Sequence, residues 1–312
     1  MSYISAKFTN LMKITLVRNG VFPISMDKHG KPLADKPETG YGFPGTLQGE
    51  GKLAGIPVLF IRTSGCNLRC VWETESGEVS ICDTSYASCY PEDTEEWEID
   101  DIINTIRVNS QIIKHIVISG GEPTTQPIAL VQLARQLKQK LGFHITVETN
   151  GVIFIPELTY WIDLFSISPK LSTSEPTTEK VKKIDKPIDQ SYFRDHKKFR
   201  RNIDTIQKYI NACMDMGSYY ADKPDSVQRR LQYKDFQLKF VISRPSDVDE
   251  IKKDFLDHLT FVEPEDVILM PLGGTREFLS TTFFMTAGLA VKNGWRFTPR
   301  LHIDLFNDKR SV

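Results

Sequence analysis

Residues 58–84 read VLFIRTSGCNLRCVWETESGEVSICDT, and this run decides the fold. Its first part, 58–63, has the near-continuous apolar composition of a strand buried on both faces, as in parallel sheets. The strand stops at Ser64 and Gly65, and Cys66 and Cys70 follow on the loop at its C-terminal edge. That edge is where α/β sheets bind ligands. Thiolates placed there select zinc or an iron–sulfur cluster. A third thiolate, from Cys82 or Cys89, would complete three of the four iron positions of a cubane and leave the last iron open. Zinc is the alternative, yet closed zinc sites use four ligands in paired short spacings. This chain has no such pair, and none of its six histidines lies near the cysteines in sequence.

Outward from this run, strand and helix patterns alternate, which predicts parallel βαβ architecture. Apolar runs predict strands at 12–17, 58–63, 115–119, 143–148, 164–168, 236–242 and 267–270, and helices at 99–108, 127–141, 248–259 and 282–293. Gln126 and Pro127 mark a helix start and Gly142 a helix stop. The strand at 115–119 runs into Gly120, Gly121, Glu122 and Pro123. Paired glycines at a strand exit allow close backbone approach to a ligand, the Glu can hold an ammonium group, and the Pro forces a turn. Glu148 to Gly151 close the next strand, and Ser168, Pro169 and Lys170 the one after. Polar clusters recurring at successive strand ends describe one rim, and in barrel-like folds that rim carries catalysis.

The chain has 312 residues, 40% hydrophobic and 25% charged, which excludes disorder and a miniature disulfide scaffold. We read it as a single domain with additions. Its 39 basic and 40 acidic residues nearly cancel, so the overall field makes no case for capture of nucleic acid or lipid. No stretch approaches the roughly 20 apolar residues of a membrane span, and the N-terminus lacks a signal-peptide core, so a cytoplasmic protein is expected. Four of the five cysteines fall between Cys66 and Cys89, which in a reducing compartment suggests metal ligands. Cys213 reads as an inert small hydrophobe. Two segments break the rhythm. Residues 19–47 are rich in Gly, Pro and Lys, and residues 171–235 carry 14 Lys/Arg against 10 Asp/Glu with interleaved Tyr and Phe. The second reads as a solvated helical insertion docked by its aromatics, or alternatively as a groove for a nucleic acid strand.

These motifs resemble the radical S-adenosylmethionine (SAM) superfamily and, more closely, its 7-carboxy-7-deazaguanine synthase family. The matching stretches are FPGTLQGEG (43–51), FIRTSGCNLRC (60–70), CDT (82–84), SGGEPTTQ (119–126), VETNG (147–151), SPK (168–170) and LMPLGG (269–274). The resemblance implies a partial, open (β/α)6-type barrel. It also implies radical ring contraction of 6-carboxy-5,6,7,8-tetrahydropterin with loss of ammonia, in a 7-deazaguanine (queuosine-type) pathway. By position, Cys66, Cys70 and Cys82 would hold a [4Fe-4S] cluster and Thr84 a Mg2+ ion. Ile81, Asp83, Gly120, Gly121, Glu122, Glu148, Ser168, Pro169, Lys170, Met270, Pro271, Leu272 and Gly273 would line the SAM site. Leu47, Gln48, Gly49, Glu50, Arg62, Ser119 and His302 would hold the pterin. An electron donor such as flavodoxin and a homodimer are implied too, with no membrane partner.

Each carry-over has a plainer counterpart: Arg62 as a strand-end ion pair, Glu50 as a loop charge, Thr84 as a helix cap, His302 as a packed or surface histidine. The chain also departs from the superfamily's CxxxCxxC, because eleven residues, VWETESGEVSI, separate Cys70 from Cys82. Cys89 is therefore the rival third ligand. A glycyl-radical activating enzyme would share the cysteine loop and GGEP, but QGEG, Arg62 and CDT favour a small pterin. The non-enzymatic alternative is a metal-stabilised module that binds nucleic acid through 171–235.

Overall fold

The computed structural model describes residues 12–91, 93–185, 187–214 and 234–312. In chain order its strands are β1 (Lys13–Phe22), β2 (Thr46–Leu47), β3 (Pro57–Thr63), β4 (Val71–Glu73), β5 (Val79–Ile81), β6 (Thr94–Glu98), β7 (His115–Gly120), β8 (His144–Thr149), β9 (Leu164–Ile167), β10 (Asp235–Ile242), β11 (Val267–Pro271) and β12 (Arg296–Phe297). The helices are α1 (Ile99–Asn109), α2 (Pro127–Gln136), α3 (Thr178–Val181), α4 (Ser191–Phe199), α5 (Ile203–Met214), α6 (Asp247–Glu250), α7 (Arg276–Asn293) and α8 (Leu301–Phe306).

Strands β3, β7, β8, β9, β10 and β11 lie side by side in chain order, every neighbouring pair parallel. This is the expected open, six-stranded partial barrel. β12 extends it in parallel at one edge, while β1 and then β6 extend it antiparallel at the other. The parallel strands are largely apolar because helices cover them. α1 shows the covering logic: Ile99, Ile102, Ile103 and Ile106 repeat at helical spacing on its buried face, and Asp100 and Asp101 sit in its first turn. α2 starts with Pro127, and the helical path ends at Gly142, whose φ of 70° makes the left-handed stop. Side chains of the size of Leu59, Ile61, Phe165 and Phe240, all fully buried, contribute about 1.5–3 kcal/mol each.

Three departures from the sequence reading have physical causes. The first strand continues to Phe22, well into the segment read as a loop from residue 19, and it is antiparallel. Where the loop was expected to begin, the strand carries a bulge, with Asn19 at φ 57° and a register shift between Leu16 and Val21. The loop beyond is pinned by the buried Asn109, whose Oδ1 accepts from the Ser25 and Met26 amides at 2.9 and 3.0 Å. Second, β4 and β5 form a hairpin inside the cysteine loop. Strands of three residues are too short to show a period.

Third, residues 171–235 are not all addition. α5 is a covering helix of the barrel, with Ile206, Tyr209, Ile210 and Cys213 in the main core. Tyr209 is fully buried and donates to the Ile153 carbonyl at 2.7 Å, so it offers no stacking face. Cys213 is packed in the core as expected, its thiol pushed up to about 12 by burial. Tyr219, Tyr220 and Tyr233 lie outside the described residues. No helix among the described residues is long and apolar enough to cross a membrane.

Candidate active site

The C-terminal ends of the parallel strands open into one cavity. It is lined by Leu47, Gln48, Gly49, Glu50, Arg62, Cys66, Cys70, Ile81, Cys82, Asp83, Thr84, Ser119, Gly120, Gly121, Glu122, Glu148, Ser168, Lys170, Met270, Leu272, Gly273 and His302. Of the residues predicted from sequence, Pro169 and Pro271 stay off its wall, and so does Cys89.

The cysteine loop solves its own spacing problem. Cys70 immediately precedes β4 and Cys82 immediately follows β5, with Val71 paired to Ile81 and Trp72 to Ser80. The extra residues therefore leave and return, and the Cys82 amide donates to the Cys70 carbonyl at 3.2 Å. Cys66, Cys70 and Cys82 share an apolar cluster with Leu68, Trp72 and Leu272. Burial pushes the Cys66 thiol up to about 12, with Glu122 and the neighbouring cysteines adding to it. Thr84 does not cap a helix with its side chain; its Oγ1 lies 3.3 Å from the Cys82 Sγ.

The GGEP turn is built onto this loop. The Glu122 amide donates to the Gly65 carbonyl at 2.8 Å and that of Gly121 to Thr63 at 3.2 Å. A Cβ on Gly121 would overlap the Gly65 and Ala87 carbonyls, which explains the glycine there. Glu122, expected to hold an ammonium group, lines the cavity and is engaged by the protein's own donors. Its carboxylate is buried and accepts from the Thr124 amide and hydroxyl at 3.1 and 2.6 Å, Thr149 Oγ1 at 2.7 Å and the Asn150 amide at 2.6 Å. Burial raises its pKa, and these donors pull the other way. It is a strut joining β7 to the end of β8.

On the opposite side a charge network crosses the cavity wall. Glu50 accepts from Lys239 Nζ at 2.5 Å and from Arg300 Nε at 2.9 Å, and Arg300 reaches on to Asp83 and the Gly273 carbonyl. Lys239 also lies 3.5 Å from Glu148, which accepts from Ser119 Oγ at 2.7 Å. Burial would push the Glu50 carboxyl up, but Lys239, Arg300 and His302 hold it far below the usual carboxylate range. Burial would likewise raise Asp83, and Arg300 holds it down. Glu50 is thus no loop charge. His302 packs here, 3.9 Å from Glu50, its pKa lowered by burial and by Arg300. A Cβ on Gly49 would strike its ring.

Lys239 and Arg300 also line the cavity, and sequence reasoning missed both. Lysine in the middle of an apolar strand, DFQLKFVI, was the available signal; for Arg300 the sequence held none. Arg62 contrasts with both. It has no carboxylate partner among the described residues, its buried Nε has no hydrogen-bond partner, and its guanidinium lies over Phe22 at 5.3 Å.

The Radical SAM superfamily model matches residues 60–218. The 7-carboxy-7-deazaguanine synthase of Halobacterium salinarum is 38% identical over 267 residues, covering 84% of this chain and 88% of that one. The chain belongs to this synthase family. Synthases of the same name from Rhodopirellula baltica (31% identity, 85% of each chain) and Pyrobaculum aerophilum (28%, 85% of this chain and 93% of that one) are also similar. Among solved structures, QueE from Escherichia coli matches with a TM-score of 0.50 at 19% identity, over 89% of this chain and 93% of that one, a likeness of fold.

Membership of the radical SAM superfamily implies a [4Fe-4S] cluster and SAM, and the residues present fit them. Three soft sulfur donors line one cavity together with an apolar shell, while the fourth cysteine, Cys89, stays off that wall although its sulfur accepts from the Cys70 backbone and raises the Cys66 and Cys70 thiols. Among the described residues no group of three His, Cys, Asp or Glu side chains is arranged to hold a single metal ion.

Proposed function

We propose that this protein is a 7-carboxy-7-deazaguanine synthase, a carbon–nitrogen lyase that contracts the ring of 6-carboxy-5,6,7,8-tetrahydropterin with loss of ammonia. The observation that carries this reading is Arg62, a partly buried guanidinium on the cavity wall with an unpartnered Nε. A planar fork without a protein carboxylate is suited to bidentate capture of a substrate carboxylate. The same geometry favours a small pterin over the protein backbone of a glycyl-radical activating enzyme, because Gln48, Glu50 and Arg62 all face one cavity.

Cys66, Cys70 and Cys82 would hold the cluster, and Asp83, Gly120, Gly121, Ser168, Lys170, Met270 and Gly273 would border SAM. The chemistry supplied when these groups are bound is one-electron cleavage of SAM to a species able to abstract hydrogen. The protein's part is to bind, orient and exclude water. Arg62 fixes the substrate carboxylate. Glu50 and Glu148, both braced by Lys239, accept from the N–H-rich pterin ring. Gly49 and Gly121 let backbone and neighbouring side chains come close. Thr84 would give one oxygen to Mg2+, whose remaining positions suit waters and substrate. A flavodoxin-type electron donor and a homodimer complete the reading.

The test is anaerobic. Protein reconstituted with iron and sulfide is given SAM, Mg2+, a reductant and 6-carboxytetrahydropterin, and the products are read by mass spectrometry. 7-Carboxy-7-deazaguanine is expected. Its absence beside 5′-deoxyadenosine would overturn the substrate, and absence of both from cluster-loaded protein would overturn the reaction.

A further inference from the structure

Two of this chain's departures from a compact pattern, the hairpin between Cys70 and Cys82 and the added segment after β9, meet in space. We infer that the added segment, residues 172–200, is a clamp that fixes the cysteine loop from outside, with Arg69 as the piece it grips and His196 and Tyr192 as positioning residues for Cys66 and Cys70. The inference rests on reading that loop as the cluster site.

Arg69 is held at three points. Its backbone amide donates to Nδ1 of His196 at 3.3 Å. Its guanidinium donates to the Cys66 and Leu68 carbonyls at 2.7 and 2.9 Å. The outer face of that guanidinium lies 4.1 Å from the centre of the Tyr192 ring, a cation–π contact. One residue thus ties α4 to the backbone at Cys66 and to the peptide before Cys70.

His196 is fully buried, and its other nitrogen, 3.1 Å from Ser174 Oγ, completes a chain, because Ser174 itself donates to the Leu171 carbonyl at 2.7 Å. With Nδ1 accepting from Arg69, the ring proton sits on Nε2 and points to Ser174.

The hairpin is gripped as well. Lys180, buried, donates to the carbonyls of Val71, Thr173 and Glu175 at 3.0, 2.7 and 2.8 Å, and Lys183 meets Glu73 at 2.6 Å. Groups that orient metal ligands from behind tune affinity without touching the metal. These contacts add to the hairpin's own short ladder, to Arg244, which donates to the Glu73 carbonyl at 2.8 Å, and to the packing of Trp72 on Leu272.

The test uses reconstituted full-length protein bearing Tyr192→Leu, His196→Leu or His196→Asn. Readouts are the rate of iron loss to a ferrous chelator, the electron paramagnetic resonance (EPR) spectrum of the reduced cluster with and without SAM, and the melting temperature of cluster-free protein. Tyr192 is only half-buried, so Tyr192→Leu should melt like wild type while losing iron about tenfold faster, the scale of such supporting contacts. His196→Leu should lose iron at least as fast, and His196→Asn, which keeps an acceptor near the Nδ1 position, should recover toward wild type. Wild-type iron loss and EPR spectra in Tyr192→Leu and in folded His196→Leu would overturn the clamp, as would iron loss that tracks melting temperature alone. Should His196→Leu not fold, Tyr192→Leu decides. A wild-type protein that holds its cluster yet makes no deazaguanine would overturn the proposed substrate, and the same iron-loss rates would still decide whether the clamp holds.

Discussion

Cys82 donates its backbone amide to the carbonyl of Cys70 at 3.2 Å, although eleven residues separate them in the chain. The link closes the open end of the β4–β5 hairpin and brings both thiols to the cavity wall beside Cys66. An insertion that folds back on itself changes the spacing of ligands in sequence without changing their neighbourhood in space. Three thiols thus line one cavity although the cysteine motif is stretched in sequence.

Alanine at Cys66, Cys70 or Cys82 should abolish the bound cubane, whereas Cys89→Ala should retain it. Iron and labile sulfide per chain after anaerobic reconstitution decide the matter. A cluster lost from Cys89→Ala and kept in Cys82→Ala would exchange the two assignments.

Gly77 turns the hairpin with φ at 83°. A β-branched residue in that left-handed conformation costs about 1–2 kcal/mol, so Gly77→Val should lower the melting temperature by several degrees and weaken iron retention. Unchanged iron retention would mean that the hairpin's shape does not matter to the thiols.

Arg62 separates binding from stability. Because no protein carboxylate depends on it, Arg62→Gln should leave the unfolding free energy within about 0.5 kcal/mol. Losing charge-assisted hydrogen bonds worth about 1.5–3 kcal/mol should weaken pterin binding about 10- to 150-fold. Arg62→Lys should not restore it, since an ammonium cannot make the paired contact. Titration calorimetry with the oxidised analogue 6-carboxypterin measures the affinity without turnover.

Lys239 behaves in the opposite way. It is buried between Glu50 and Glu148, and removing one partner of a buried pair costs about 3–5 kcal/mol. Lys239→Met should therefore destabilise strongly. Adding Glu50→Gln should recover part of the loss, because the neutral amide no longer needs the cation. Chemical denaturation of both singles and the double gives the coupling; strictly additive losses would refute it.

The barrel was legible because its six parallel strands are buried on both faces and read as apolar runs between helical patterns. The rim was legible for a related reason, since polar clusters such as Ser119 to Glu122 can only fall where each apolar run ends. What escaped was local or long-range. β4 and β5 are too short to show alternation, and the bulge at Asn19 falls where the loop was expected to begin. Glu122 keeps its expected place on the wall, but its four donors come from Thr124, Thr149 and Asn150, a convergence of β7 and β8 that no spacing in one segment reveals. Arg300 meets Glu50 and Asp83 across sequence separations of 250 and 217 residues.

The clamp histidine gives the fold an acid limit. In the folded protein burial, followed by Arg200, Lys170 and Lys180, lowers His196 to about 3, from an ordinary value near 6.5. The unfolded chain therefore binds a proton that the folded chain refuses. Above about pH 6.5 both forms are neutral and the group is silent; as pH falls below 6.5 stability declines by up to about 1.4 kcal/mol per unit until the folded value is reached. His196→Asn cannot titrate and should lose less stability over the same range. Melting curves of cluster-free protein between about pH 5 and 7.5, inside the window these values set, should show wild type and variant converging on acidification; parallel curves would mean that His196 is not held neutral.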